Sequence, residues 1–493
     1  MKRVCLLLFF VLTTITLWAQ SERFETDGIW CETITDLGSN AVQVTAPNAG
    51  FLYAGDIRVP DEIYIGRTPY KVKRIAAGAF SKSEISSIEL PTTLVEIGDN
   101  AFSGCSSLKS IDLPEGLSTL GASAFYGCKA IETATIPSTL TTIGMAPFYG
   151  CTGTAVIKCN MADNCNLVEY SKFTRIDIAE SVTFIGNTAL RNCSELITVN
   201  FPTTLQHIGA NLFNKSPKVT DLTIPESVTE IGAGALSNAA GKLTINCPVP
   251  NCPANSASPF NGAFTSVTFG PGVTSIGNYA FLNCRSIKTV VLSEGITSIG
   301  ASAFSGCTGI TRIHLPESVT TIGVSAFSGC QALTDIHLPE GVTTIPTSCF
   351  YECSALTSIR IPARVTTLAS RVFSGCTGLT DVYATSTTAP TMQSSTFDSA
   401  TYTSARLHVP TGSLPCYQSS TYWKKFTSIV EESLTTAEIP GDFDGDGTAN
   451  LNDLDVLVRM LSNAMGEANL KYDLNGDGKV SIGDVTKFID MIE

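Results

Sequence analysis

Apolar and polar residues alternate in short stretches along most of the chain, and these stretches recur at a fixed interval. Aligning the chain on a recurrent Ile-Gly step gives a period of 23 residues. The steps fall at Gly98, Gly121, Gly144, Gly186, Gly209, Gly232, Gly277, Gly300 and Gly323, with altered copies at Ala76, Pro346 and Ala369. The two wider intervals each contain one regular and one degenerate copy. A period of this size predicts a solenoid, in which stacked repeats bury a core that no single repeat buries alone.

The copy at Gly300 shows what each repeat is expected to form. The stretch 313–315 alternates apolar and polar side chains, which is typical of a short half-buried strand, and Pro316 ends it because proline cannot donate to a strand ladder. The preceding Ala-Phe-x-x-Cys stretch predicts one tight helical turn. Its aromatic residue recurs as a core column at Phe80, Phe102, Phe125, Phe148, Phe213, Phe281, Phe304, Phe327, Phe350 and Phe373, with Leu190 and Leu236 as exceptions.

Seventeen cysteines suggest a disulfide framework, but their spacing favours another interpretation. Nine of them share one repeat position: Cys105, Cys128, Cys151, Cys193, Cys284, Cys307, Cys330, Cys353 and Cys376. This periodicity predicts small buried thiols that fill a turn. The pairs Cys159/Cys165 and Cys247/Cys252 lie in the degenerate copies, where local disulfides and free thiols both remain open.

The outward-facing strand residues predict a polar ladder, and one end of it is rich in cationic and aromatic side chains. Such residues favour a ligand-contact surface. The candidates are Arg312, His314, Asp335, His337, Arg360 and Tyr383. The alternative is a solvated face needed only for solubility. Likewise, His314 and His337 either form a metal-binding pair or stack incidentally. No catalytic motif is present, so no catalytic residues are predicted, and the lack of a basic stripe argues against nucleic acid as a partner.

These repeats resemble the BspA-like (Treponema-type) leucine-rich repeats, in which the cysteine precedes the L-x-L strand. The resemblance covers residues 22–432. It implies a mixed β/α solenoid of short parallel strands and single helical turns, with an N-terminal cap at 20–75, repeats at 76–388 and a C-terminal cap at 389–432. It also implies adhesion, through the concave face of the solenoid, to host, matrix or microbial surface macromolecules.

The first residues predict export. Lys2 and Arg3 precede an apolar run, and Ala19 precedes Gln20, as in a cleavable signal peptide spanning residues 1–19. Cys5 is not at the cleavage junction, so no lipid anchor is expected. No later stretch is apolar enough to insert into a membrane. We therefore expect an extracellular protein or one held non-covalently at the cell surface.

The last 53 residues hold eleven acidic and four basic residues, a net charge of −7 out of −13 for the chain. Their spacing matches two twelve-position calcium loops, with oxygen ligands at positions 1, 3, 5, 7, 9 and 12 and glycine at position 6. The predicted ligands of two Ca²⁺ ions are Asp442, Asp444, Asp446, Thr448, Asn450 and Asp453 in the first loop, and Asp473, Asn475, Asp477, Lys479, Ser481 and Asp484 in the second. Thr448 and Lys479 contribute main-chain carbonyls.

Each loop precedes an amphipathic helix, and aspartate stands at position 12. In both respects residues 441–493 resemble a type I dockerin, a small all-α module, after a linker at 433–440. The resemblance implies a cohesin-like partner. Positions 10 and 11 of each loop bear on partner choice in that family, and here they are Leu451, Asn452, Ile482 and Gly483.

The interpretation that follows is a non-enzymatic exported recognition protein held by a calcium-dependent docking tail. One alternative is a non-catalytic targeting component of an extracellular polysaccharide-degrading assembly. Another is that the calcium loops only rigidify the tail, whose apolar helices pack intramolecularly.

Overall fold

The computed structural model describes residues 23–48, 51–253, 257–434, 474 and 482–492, with side chains in the last range for 484–489. The chain divides into two compact units, residues 1–240 and 241–493, and each contains a β-solenoid of the leucine-rich-repeat type. The predicted signal peptide and most of the predicted linker and tail lie outside the described residues. Within the described ranges, no helix is both long and apolar enough to cross a bilayer.

In the first unit, longer strands and two-residue strands form separate parallel ladders. The longer strands, which we call the long-strand sheet, are β4 Ala54–Arg58, β7 Glu84–Glu89, β9 Ser110–Asp112, β11 Thr133–Ile136, β13 Thr152–Ile157, β14 Lys172–Ile178, β16 Thr198–Asn200 and β18 Thr220–Ile224. The short strands are β8 Glu96–Ile97, β10 Thr119–Leu120, β12 Thr142–Ile143, β15 Phe184–Ile185, β17 His207–Ile208 and β19 Glu230–Ile231. Most coils therefore contribute one strand to each ladder, whereas the coil of β13 contributes only the isolated bridge residue Met161 to the second.

The first unit begins with antiparallel strands. They are β1 Arg23–Thr26, β2 Ile29–Ile34, β3 Ala41–Val44, β5 Glu62–Ile65 and β6 Thr68–Ile75. Strand β6 pairs antiparallel with β5 but parallel with both β3 and β8. It thereby joins the antiparallel start to the repeats and covers the first open edge of the solenoid, as a terminal cap requires.

The second unit repeats the same arrangement. Its long strands, to which we give the same name of long-strand sheet, form two hydrogen-bonded ladders, the first ending at β27 and the second beginning at β29. They are β20 Ala240–Ile245, β21 Ala263–Phe269, β23 Thr289–Val291, β25 Arg312–His314, β27 Asp335–His337, β29 Ser358–Ile361, β31 Asp381–Ala384, β33 Arg406–Pro410 and β34 Ser428–Glu432. Its short strands are β22 Ser275–Ile276, β24 Ser298–Ile299, β26 Thr321–Ile322, β28 Thr344–Ile345, β30 Thr367–Leu368 and β32 Thr391–Met392. Among its described residues, the helices are α1 Thr401–Ser404, α2 Leu414–Ser419, a 3-10 turn Trp423–Lys425 and α3 Ile482–Ile492.

The predicted helical turn in each repeat is wrong: the described repeats contain turns and strands only. In the copy at Gly300 the backbone is left-handed at Ser302 (φ 51°) and Gly306 (φ 73°), which a helix does not accommodate. Alternate amides then donate in two directions. The amides of Ser302, Phe304 and Gly306 reach carbonyls of the next coil. Those of Ala303, Ser305 and Cys307 donate to the carbonyl three residues earlier and close local four-residue turns. Because half of these bonds need the neighbouring coil, the segment is neither helix nor strand.

The aromatic core column is confirmed and is longer than predicted. Ring centroids are 4.9–5.1 Å apart from Phe80 to Phe148 in the first unit and 5.4–5.8 Å apart from Phe281 to Phe373 in the second. Two residues outside the regular spacing also join it: Phe260 stacks on Phe281 at 4.9 Å and Phe397 on Phe373 at 5.0 Å. These two rings extend the column into a degenerate copy and into the C-terminal region.

The nine periodic cysteines are buried free thiols, as their spacing predicted. Each thiol donates to a main-chain carbonyl of the preceding coil at 3.0–3.4 Å, to phenylalanine in eight cases and to Val168 in the case of Cys193. Ser216 occupies the same position in a repeat without cysteine, and its hydroxyl donates to Leu190 O at 2.8 Å. The position therefore requires a small hydrogen-bond donor that links adjacent coils.

Alkylation of the native protein should label Cys416 and leave the other described cysteines unmodified. Cys416 alone among them is exposed. Burial raises the pKa of buried thiols such as Cys284 and Cys376 to about 12, so little reactive thiolate exists at pH 8. Peptide mapping by mass spectrometry checks this.

Alkylation after denaturation without reductant shows whether the cysteine pairs of the two degenerate copies are disulfides or free thiols. All sixteen described cysteines are free thiols in the structure, including Cys159, Cys165, Cys247 and Cys252, so all sixteen should be modified. Protection of either pair would show a disulfide, and native labelling of the periodic cysteines would contradict the buried ladder.

Candidate functional site

The long-strand sheet of the second unit displays two outward columns of side chains. In each strand a central apolar residue, such as Ile313 or Ile336, points inward and is 2–3% exposed. Its two neighbours therefore point outward, because successive strand residues face opposite sides. This alternation places one outward residue before and one after each buried position.

All six predicted contact residues lie in these two columns. Arg312 pairs in register with Asp335, and His314 pairs with His337. On the following strands, Ser358 pairs with Asp381, and Arg360 pairs with Tyr383. The sheet thus presents cationic, acidic and aromatic side chains on four consecutive coils, supported by a hydrogen-bonded backbone.

The two predicted histidines stack, with ring centroids 6.2 Å apart and planes 13° apart. His337 Nε2 also lies 2.9 Å from Glu317 Oε1. Among the described residues, no group of three or more His, Cys, Asp or Glu side chains is placed to hold a metal. The two rings are thus stacked, and a role of this pair in ligand contact stays a prediction.

One residue of this surface escaped the sequence analysis. His408 lies in β33, in register with Tyr383, and the two rings stack with centroids 4.3 Å apart. Its side chain is only 7% exposed, and its Nε2 donates to Asp381 Oδ1 at 2.9 Å. Glu432 Oε1 lies 2.8 Å from Nδ1 of the same ring, close enough for an ion pair but not aligned as a hydrogen bond. His408 therefore sits between two carboxylates.

The pKa values of two groups beside His408, Asp381 and Tyr383, are shifted. Partial burial raises the pKa of Asp381, but the hydrogen bonds from His408 and Thr380 outweigh it, so the net pKa lies below the ordinary value. The pKa of Tyr383 is raised by burial first and then by the Asp381 and Glu432 carboxylates. The Asp381 carboxyl is thus ionised at neutral pH, with the neutral phenol of Tyr383 beside it.

A signal for His408 was present in the sequence. The stretch 407–410 reads Leu-His-Val-Pro, the same aliphatic-His-aliphatic-Pro pattern as Ile-His-Leu-Pro at 313–316 and 336–339. Residues 389–432 do not keep the repeat spacing, since Met392 and Ser399 stand one period after Ala369 and Cys376, so the sequence predicts a cap there and no outward column.

Most of the predicted calcium ligands lie outside the described residues, as do Leu451 and Asn452. The exception is Asp484, which is fully buried and accepts the amide of Leu474 on Oδ1 at 2.8 Å. This contact joins position 12 of the second loop to position 2, so it brings the two ends of the loop together. Ile482 and Gly483 form the first two positions of α3.

Helix α3 has the amphipathic character that was predicted. Val485 and Phe488 are buried, whereas Lys487 is exposed and Ile489 is 37% exposed. The ligand roles of the loop residues and the partner-contact roles of positions 10 and 11 stay predictions.

A family model described as "BspA type Leucine rich repeat region (6 copies)" matches residues 73–169, 164–264 and 255–380. The chain belongs to this family. A second model, the dockerin type I domain, matches residues 440–493. Dockerin type I domains bind calcium and cohesins, and leucine-rich repeats mediate protein interactions. Both are non-catalytic domain types.

The BspA-type chain is also similar to solved bacterial structures. A leucine-rich repeat protein from Bacteroides ovatus is 24% identical with a TM-score of 0.42, and the match covers 73% of this chain and 94% of that one. A leucine-rich cell surface protein from Faecalibacterium prausnitzii is 21% identical with a TM-score of 0.27, covering 84% and 96%. Among curated proteins, none matches significantly.

Proposed function

We propose that this chain is an exported, non-enzymatic recognition protein, whose long-strand sheet binds a macromolecule while its dockerin tail binds a cohesin-type partner or surface scaffold. The observation that carries the proposal is the pair of registered columns from Arg312 to Tyr383, in a chain that also carries a docking domain. Arginine and aromatic side chains are enriched where protein interfaces carry most of their binding energy.

The physical arrangement supports recognition of a large ligand. The columns lie on parallel strands that hydrogen-bond in pairs, β25 with β27 and β29 with β31, so the side chains within each pair are held about 4.8 Å apart. A preformed surface of this kind reduces the ordering cost of binding. The ligand is proposed to be a host, matrix or microbial surface macromolecule, in an adhesive role.

Export supplies the setting for this function. The basic tip and apolar run before Gln20 support secretion, and the calcium-dependent tail supports non-covalent attachment outside the cell. The dockerin match also favours a second candidate, a non-catalytic targeting component of a polysaccharide-degrading assembly. In that case the same surface would bind a glycan.

A pull-down from a native extract with the full chain tests the proposal. With calcium present, we expect a cohesin-bearing protein to be recovered. Chelation should abolish this recovery, because folding of the docking tail depends on bound calcium. Failure to recover such a protein in either condition would contradict docking and favour a tail that calcium only rigidifies.

The double variant Arg312→Ala/His337→Ala should keep the calcium-dependent partner and weaken the solenoid ligand at least about tenfold, as loss of two central contacts predicts. Host-protein binding assays and a glycan array rank the two candidate functions. Arg364→Ala, an exposed arginine in the turn that follows β29, is the matched control. Equal ligand binding by both variants would exclude the columns as the contact site.

A further inference from the structure

The chain segment that follows the last long strand turns back over the sheet. Strand order places β29 three positions from β34, a distance of about 14 Å at the usual strand spacing. Even so, Arg360 Nη2 on β29 donates to the main-chain oxygen of Leu434, two residues beyond β34, at 3.3 Å. Residues 433 and 434 therefore run back from the sheet edge, while Glu432 stays the last residue of β34 and reaches over the sheet through its side chain.

Two different kinds of contact hold this segment. The Glu432 carboxylate lies 2.8 Å from His408, whose ring is packed against Tyr383 and fixed by Asp381. Two residues later, Arg360 binds a main-chain carbonyl. The site therefore holds an acidic side chain and then a main-chain carbonyl, a pair of features that a polypeptide offers.

The chemistry of the site is suited to such an occupant. His408 is almost fully enclosed, so its ring is held in place with Nδ1 2.8 Å from the Glu432 carboxylate, whose side chain is 40% exposed. Arg360 is half-buried and presents a rigid guanidinium, whose geometry suits carbonyl and carboxylate oxygens. The outgoing segment contributes two consecutive glutamates, of which Glu431 instead faces α2 and accepts the Leu414 amide at 2.8 Å.

We propose that Arg360, Tyr383 and His408 form a binding site for an extended acidic peptide segment, and that residues 432–434 are its intramolecular occupant. This rests on the proposed function and names the class of partner for its surface: a protein with an exposed Glu followed two residues later by an accessible carbonyl. Such a partner displaces the segment and binds in its place.

Because residues 432–434 occupy the site, another peptide must compete with them and needs sufficient affinity to bind. A short covalent connection gives an effective concentration of about 1 mM, so a peptide with an intrinsic Kd of about 100 µM is weakened about tenfold while the segment is bound. A partner that binds tightly replaces residues 432–434 in the site, whereas an acidic peptide that binds weakly does not. The surface from Arg312 to His337 stays accessible throughout.

The test uses the full chain and a labelled peptide of sequence Glu-Glu-Ser-Leu-Thr-Thr, which copies residues 431–436. Glu432→Gln in the chain weakens the intramolecular contact, so this variant should bind the peptide about fivefold more tightly than wild type. Adding Arg360→Ala should reverse the gain, whereas adding Arg364→Ala should not. A peptide with Gln at its second position should bind at least about fivefold more weakly.

Equal peptide binding by the wild type and Glu432→Gln would overturn the proposal, as would retention of binding after Arg360→Ala. An oligogalacturonate that binds where the peptide does not would replace the polypeptide class with a glycan. Cleavage by a glutamate-specific protease gives a second readout: Arg360→Ala should raise cutting after Glu432 several-fold over Arg364→Ala. If these results fail while Arg312→Ala/His337→Ala still loses the solenoid ligand, only this inference falls and the proposed function stands.

Discussion

Replacing Gly144 with alanine should lower the free energy of unfolding by about 3 kcal/mol or more, the upper end of the cost of overpacking. A Cβ atom at this position would lie 2.2 Å from the Ala122 nitrogen and 2.6 Å from the Gly121 carbonyl carbon. Both atoms are backbone, and the Gly144 amide itself donates to Leu120 O in the preceding coil. Neither coil can shift without breaking the hydrogen bonds that stack them.

Gly127→Ala is the matched control, and denaturant unfolding of the two variants gives the comparison. Gly127 has a left-handed backbone (φ 71°), but a Cβ there would meet nothing within 4 Å. Only the conformational cost remains, about 1–2 kcal/mol. If Gly144→Ala were no more destabilised than Gly127→Ala, the coils would be less closely packed than the structure shows.

The periodic features of the fold could be predicted from the sequence because each repeat constrains the next. The Ile-x-Leu-Pro pattern identified which residues face inward at Ile313 and which face outward at Arg312 and His314. Stacking at one interval then placed every outward residue in a column. The core phenylalanines and the buried thiols followed for the same reason.

The features that depend on neighbouring coils could not be predicted from a single repeat. The Ala-Phe-x-x-Cys stretch has amides that alternate between local turns and the next coil, so its conformation is set by stacking and not by local propensity. Phe260 and Phe397 depart from the regular spacing, although both rings stack in the column. His408 was hidden by the loss of the other repeat residues around it.

The tail likewise combines a feature that the sequence predicts with a contact that it does not. The spacing of oxygen-bearing residues indicated the calcium loops, and the dockerin match over 440–493 supports Ca²⁺ as their ion. The spacing did not reveal that Asp484 is fully buried and accepts the Leu474 amide. In the structure this residue closes the loop as well as standing at a ligand position, so its replacement has two consequences.

Calcium titration of the full chain by calorimetry should detect two ions, and Asp473→Ala should remove one of them. Loss of the first ligand of a loop should weaken its ion about 100-fold or more, because each Ca²⁺ site depends on its carboxylates for charge and geometry. The double variant Asp442→Ala/Asp473→Ala should bind neither ion and recover no cohesin-bearing protein. Retention of two ions by the double variant would contradict the ligand assignment.

Asp484→Ala should lose the second ion and also lower the stability of the tail without calcium. Its carboxylate accepts the Leu474 amide, and removing a buried acceptor leaves that amide unpaired at a cost of about 1–3 kcal/mol. Lys487→Ala, an exposed residue on the same helix, should change neither property. Circular dichroism with and without chelator separates the two effects, since a pure metal ligand would leave the calcium-free state unchanged. An Asp484→Ala variant that matches wild type without calcium would assign Asp484 to ion binding alone.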